Sequence, residues 1–146
     1  MFQAIITYLE GNKIPSINDM YLIGRSGNKA WKYLNPKVAD FKLHIKTSIL
    51  KQGVAEYFQN KKDFAIELEI LIVFSDNFWV RDCSNTIKAI EDALAEVIKV
   101  DDRFNVKVNV RKILNDKDKN EYIILVAKDI PKDSPIIRWS TCNVQT

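Results

Sequence analysis

The stretch from residue 64 to 74 leaves the chain few folds. Phe64, Ile66, Leu68, Ile70, Ile72 and Phe74 alternate first with Glu67 and Glu69 and then with Leu71 and Val73. The period is two throughout, and the polar side is lost half-way along, so the segment reads as a strand that starts half exposed and ends buried on both faces. Such a strand belongs in the middle of a sheet, with other elements packed over it. A chain of 146 residues that is 47% hydrophobic has enough apolar material for one such core.

Other elements follow from periodicity. Residues 2–9 are apolar and β-branched enough for a first strand. Asn35-Pro36 predicts a helix start, with Asn as the cap and Pro at the first helical position, and Val38, Phe41, Ile45 and Ile49 then recur on one face. Gln52-Gly53 weakens or ends that helix, although residues 54–58 are able to extend it. A second helix is predicted over residues 84–98, with Ile87, Ile90, Leu94, Val97 and Ile98 as its apolar face. Phe104, Val106, Val108 and Val110 alternate with Asn105, Lys107, Asn109 and Arg111, and after a polar turn at residues 115–120 the segment 122–127 predicts a returning strand, the two forming a hairpin. The expected architecture is α/β (α+β): a single domain with a mixed sheet of about four strands and two main helices, in the order β-α-β-α-β-β. Residues 129–146 form a C-terminal extension whose Ile136, Ile137 and Trp139 are apolar enough to pack on the body or on a second subunit, with Trp139 buried.

Several function classes are excluded or disfavoured. No apolar run reaches the roughly 20 residues of a membrane helix, since residues 65–74 are broken by Glu67 and Glu69. The first residues lack the basic start and small-residue cleavage site of a signal peptide. Cys83 and Cys142 are too few for a disulfide framework, and no Cys/His spacing suggests zinc. A reduced, cytoplasmic setting is expected. His44, the only histidine, lies in a lysine-rich helical pattern as a surface or interface residue, which disfavours Ser-His or Cys-His chemistry.

Charge is divided unevenly along the chain. Residues 1–62 hold 10 basic and 4 acidic residues (+6), and residues 63–146 hold 12 and 15 (−3). Within the basic half, Tyr21, Arg25, Lys29, Trp31, Lys32 and Tyr33 interleave cations with aromatics, a mixture that suits a nucleic-acid backbone and unstacked bases. A structured loop covering the core is the competing reading of residues 21–33. In the acidic half, Asp82 precedes the second helix, Lys88 lies one turn after Ser84, and Asp101-Asp102 follows the helix. Asp82, Ser84 and Asn85 are all good N-caps. A carboxylate before a helix and an acidic pair after it are also able to meet where a hard divalent cation needs oxygen ligands.

The pattern Arg81-Asp82-x-Ser84-Asn85-x-x-Lys88-x-x-x-Asp92-Ala93-Leu94, followed by Asp101-Asp102, resembles that of the RusA-type Holliday junction resolvases. Upstream, Pro15-Ser16-Ile17-Asn18-Asp19-Met20-Tyr21 is similar to the Pro-Ser-x-Asn-x-x-Tyr signature of the same family. The two matches together cover roughly residues 2 to 128, and the resemblance implies a nuclease domain over residues 1–128. The resemblance implies a small dimeric endodeoxyribonuclease that acts in DNA recombination and repair by cutting branched DNA at four-way junctions. It implies Mg²⁺ as cofactor, with Mn²⁺ able to substitute, and places Asp82, Lys88 and Asp102 at catalytic positions. Asp82 and Asp102, with neighbouring Asp101, would bind the metal, and Ser84, Asn85 and Asp92 would support them. Asn18, Tyr21, Arg25, Lys29, Lys32 and Arg81 are the expected DNA contacts. Ser84 departs from the best-known form of the motif, which has a second aspartate there. A neutral hydroxyl removes one negative charge, and the alternative expectation is a weakened or inactive protein that still binds branched DNA.

Overall fold

The computed structural model describes residues 1–8 and 13–139. Strands run Phe2–Thr7 (β1), Tyr21–Ser26 (β2), Lys29–Leu34 (β3), Phe64–Phe74 (β4), Asn105–Leu114 (β5) and Tyr122–Pro131 (β6). Helices run Pro36–Lys51 (α1), Val54–Phe58 (α2) and Ser84–Ile98 (α3), with short 3-10 turns at Asp102–Phe104 and Pro135–Ile137. A four-stranded mixed sheet in the order β1-β6-β4-β5 and a separate ribbon of β2 with β3 make this a single-domain α+β fold. No helix among the described residues is long and apolar enough to cross a membrane.

β4 lies inside the sheet as its pattern requires, antiparallel to β6 and parallel to β5, so that Ile70 faces Leu125 on one side and Val110 on the other. Its Leu68, Ile70 and Ile72 join Ala4 and Ile6 of β1, Ile45 and Ile49 of α1, and Ile90 and Leu94 of α3 in one buried cluster. Each such Leu or Ile side chain contributes about 1.5–3 kcal/mol by leaving water. Helix α3 is the crossover between parallel β4 and β5, running back from the C-terminal end of β4 to the N-terminal end of β5.

The expected hairpin of β5 with β6 is not formed, because β4 lies between them. The apolar end of β4 is best buried with a neighbour on each edge. The turn at residues 115–120 therefore crosses the end of β4, where the Asn115 amide donates to the Phe74 carbonyl at 2.8 Å. β5 is left as an edge strand, with Lys107, Asn109 and Arg111 exposed. The other edge, β1, is capped by a side chain: Gln52, past the end of α1, accepts from the Ile5 amide at 2.9 Å and donates to the Ile5 carbonyl at 2.8 Å, a pairing that blocks strand addition there.

Residues 21–33 are a regular β-ribbon and not a loop, with six pairs from Tyr21↔Leu34 to Ser26↔Lys29. The turn has Gly27 at φ 59°, followed by Asn28, the left-handed first position of a two-residue hairpin turn. Asn35 ties the ribbon to the body: its amide donates to Met20 O at 2.9 Å and its side chain to Asp19 O at 2.8 Å, while its Oδ1 caps α1 by accepting from Lys37 N at 3.1 Å.

β6 extends to Pro131, so a boundary after Lys128 falls inside a strand, and Ile130 is part of the buried sheet. Trp139, expected to be buried, is 79% exposed. The Pro135–Ile137 turn holds the segment outside the packed layers, with Ile136 and Ile137 also exposed. Leu9, the expected end of the first strand, and Cys142 lie outside the described residues. Cys83 is a free thiol. The His44 Nε2 lies 3.0 Å from the Thr7 carbonyl and its ring 4.9 Å from that of Tyr8.

Candidate functional site

Past β4 the chain turns through Asn77, whose φ of 48° lets the Val80 and Arg81 amides donate back to its carbonyl, and so delivers Asp82 to the start of α3. The Asp82 carboxylate accepts from Ser84 N at 2.9 Å, an Asx turn that leads into the helix, whose N-cap is Cys83. That backbone hydrogen bond, aided by the Ser84 side chain and by the Lys112 ammonium, holds the Asp82 carboxyl below the usual range. Asp82 is therefore an anion at neutral pH and exposed to solvent.

One turn into α3, the Lys88 ammonium donates to Asp92 Oδ1 at 2.9 Å and to Asp102 Oδ2 at 2.6 Å. The first contact is the i,i+4 pair that the spacing implies. The second exists because Asp101 caps the following 3-10 turn, accepting from Arg103 N at 2.9 Å, and so sets Asp102 back toward the helix. The hydrogen bonds to Asp102 and Asp92 push the Lys88 ammonium above its ordinary pKa. Asp102 is correspondingly held low, first by Lys88. An open cleft of about 540 Å³ runs along this cluster, bordered by Tyr21, Lys88, Asp92, Lys99, Asp101 and Asp102. Asp82 is not on its wall.

The two motifs are in contact. Asn85 Nδ2 donates at 2.9 Å to the carbonyls of both Ile17 and Asn18, fastening the Pro15–Asn18 segment to the first turn of α3. Ile14 and Ile17 are buried beside it, Asn18 is exposed, and Tyr21 extends from this loop to the cleft. Arg25, Lys29 and Lys32 are exposed on the ribbon.

Arg81 departs from its expected place on DNA. Its side chain is 10% exposed, with NH1 2.6 Å from Glu121 Oε2, NH2 donating to Ile14 O at 2.5 Å, and the guanidinium 4.0 Å above the Phe74 ring. The reason is Glu121, a buried carboxylate that also accepts from Ile14 N at 2.9 Å and Ser75 N at 2.7 Å. Burial opposes the ionised form of Glu121, but the hydrogen bonds from Arg81, Ser75 and Ile14 outweigh it and leave the carboxyl below its usual range. This pair links the two site loops to the start of β6. Lys112, on β5, is a second residue with no sequence signal: its Nζ donates to Phe78 O at 2.6 Å and Arg81 O at 2.7 Å, gripping the loop that holds Asp82.

The donor chemistry suits a hard divalent cation, since Asp82, Asp101 and Asp102 offer oxygen alone and Mg²⁺ is commonly held by one or two carboxylates plus waters. Among the described residues, no three His, Cys, Asp or Glu side chains gather as a group able to hold a metal. Where Asp92 and Asp102 converge, the cation between them is Lys88. Comparison with protein-family models found no match, and no curated protein matches the chain.

Proposed function

We propose that this protein is a magnesium-dependent, structure-selective endodeoxyribonuclease that resolves four-way DNA junctions, as the resemblance of its motifs to the RusA-type resolvases implies. One observation supports this reading above the others: the helix lysine and the downstream aspartate of the motif, Lys88 and Asp102, meet at 2.6 Å beside an open cleft that Tyr21 of the other motif also borders. Mg²⁺, or Mn²⁺ in its place, would be held by Asp82 and Asp102 with help from Asp101. A metal so bound supplies an activated water and charge stabilisation on the scissile phosphate.

The chain's own residues have distinct tasks in this reading. Lys88 neutralises the phosphate, and Asp92 orients Lys88 without binding metal. Asn85 fixes the Asn18 loop against the helix that presents Lys88, and Arg81 fixes the Asp82 loop from within instead of contacting DNA. Two symmetric cuts in a junction call for two identical sites, which a two-fold homodimer provides.

A second reading, a branched-DNA-binding protein that does not cut, is favoured by Ser84 at the position of the family's second aspartate and by the lack of a three-carboxylate group among the described residues. The deciding experiment incubates the protein with a labelled four-way junction and a matched linear duplex, in Mg²⁺ or EDTA, beside Asp82→Asn and Asp102→Asn. Paired symmetric cuts that need metal and vanish in both variants support the nuclease. Junction binding without cuts supports the second reading, and neither binding nor cutting rejects both.

A further inference from the structure

The β2–β3 ribbon pairs with itself and stands apart from the main sheet. A lone two-stranded ribbon is marginal in water, yet this one turns its large side chains outward: Ile23 is 63% exposed, Trp31 51%, and Tyr21 and Tyr33 are exposed as well. The register puts Tyr21 and Ile23 with Arg25 and Lys32 on one face and Trp31 and Tyr33 with Lys29 on the other, and exposed apolar side chains on both faces mark a ribbon that something covers on each side. Its charge defines what that is. From Tyr21 to Leu34 the chain has Arg25, Lys29 and Lys32 and no carboxylate.

The rings are also held in place. Trp31 lies opposite Gly24, and its indole covers that glycine so closely that a Cβ there would sit 2.4 Å from the ring. The Lys32 ammonium lies 4.4 Å from the centre of the Tyr21 ring. Tyr21 borders two cavities, the cleft of Lys88 and Asp102 and a second of about 430 Å³ lined by Ile23, Ala30, Trp31 and Lys32, so the ribbon's surface adjoins the candidate site. Supported aromatic rings among cations, with no acidic residue, match a segment of unpaired nucleotides, whose bases stack and whose phosphates need cations. They match a duplex poorly, since its bases offer no free face.

We infer that unpaired DNA nucleotides wrap the β2–β3 ribbon, with bases stacking on Trp31 at one face and on Tyr21 at the other and with Arg25, Lys29 and Lys32 holding the backbone, and that the Tyr21 face directs the strand into the cleft at Lys88 and Asp102. This rests on the proposed action on branched DNA and specifies which part of the substrate the ribbon takes.

The test uses the full chain in EDTA, with fluorescence anisotropy on a labelled oligothymidylate of about 15 nucleotides and a blunt duplex of the same length. Trp31→Ala weakens oligothymidylate binding by about tenfold, Trp31→Phe restores most of it, and duplex binding changes by less than about twofold. Gly24→Ala keeps every ring but displaces the indole, and it too weakens the single strand. Thermal melting confirms folding, and the Phe and Gly24 variants keep the test decisive if Trp31→Ala is unstable. The inference is overturned if the wild type does not bind oligothymidylate, if Trp31→Ala binds it as the wild type does, or if the substitutions change only the oligomeric mass, which would assign the ribbon to a protein contact. Ring-dependent strand binding with no junction cutting in Mg²⁺ would reject the nuclease alone. Cutting with ring-independent strand binding would reject the ribbon's role alone.

Discussion

Asn85, in the first turn of α3, donates from Nδ2 to the carbonyl of Asn18 at 2.9 Å, and from the same nitrogen to that of Ile17. Residues some 67 positions apart thus form one unit, and a single amide orients the Asn18 loop against the helix bearing Lys88. Asn85→Ala removes the donor and costs about 1 kcal/mol. Asn85→Asp places a carboxylate against two carbonyls and destabilises more than the alanine does. Urea unfolding of both variants checks the order, and junction cutting is expected to fall in the same order.

Arg81 and Glu121 form a pair whose value lies in its being whole. Arg81→Ala leaves the Glu121 charge buried without its cation, and about 3–5 kcal/mol of stability is lost. The pair also makes stability depend on pH. The folded-state pKa of Glu121 lies below its ordinary value, so its contribution is complete above about pH 4.3, the unfolded value, and is lost as pH falls through the folded one. Denaturant unfolding at a series of pH values from about 6 to 3 should show a decline that is shallower in Glu121→Gln. An equally steep decline in both would assign the acid sensitivity to other carboxylates.

Lys88 poses the reverse case. Its side chain is 52% exposed, so its pairs with Asp92 and Asp102 contribute little to folding, and Lys88→Met should change stability by less than about 1 kcal/mol. Cutting is expected to vanish in the same variant. Asp92→Asn, which frees the ammonium from one partner, should keep a reduced rate. Equal losses of stability and activity in Lys88→Met would show a structural residue instead of a functional one.

Legibility followed the range of the forces involved. β4, α1 and α3 are visible because one face of each meets a common core, and that imprints a period of two or of 3.6 on the sequence. The ribbon left only weak marks: six-residue strands rich in cations, with Gly27-Asn28 as the overlooked turn signal. Chain adjacency favours pairing β5 with β6, while the actual order depends on where β4 is best buried. In the site, spacing alone implies the Lys88–Asp92 pair and sets Asp101-Asp102 as an acidic pair after the helix, and the family resemblance singles out Asp102. Arg81 with Glu121 left no trace, since two charges 40 positions apart look like any surface residues until the fold buries them together.

Lys112 offers the sharpest separation of positioning from binding. It is a cation near the site and would ordinarily be assigned to phosphate, yet its ammonium is engaged by the Phe78 and Arg81 carbonyls at 2.6 and 2.7 Å and lies 4.6 Å from the centre of the Phe78 ring. Lys112→Met keeps the apolar stem and removes the donors, freeing both carbonyls and loosening the loop that leads into Asp82. Amide exchange over residues 78–83 should then rise while that of α1 is unchanged. Junction affinity and its salt dependence should stay at the wild-type level, and cutting should slow by about tenfold or more, since a displaced carboxylate costs rate and not binding. A shallower salt dependence with unchanged loop exchange would instead place Lys112 on the DNA backbone.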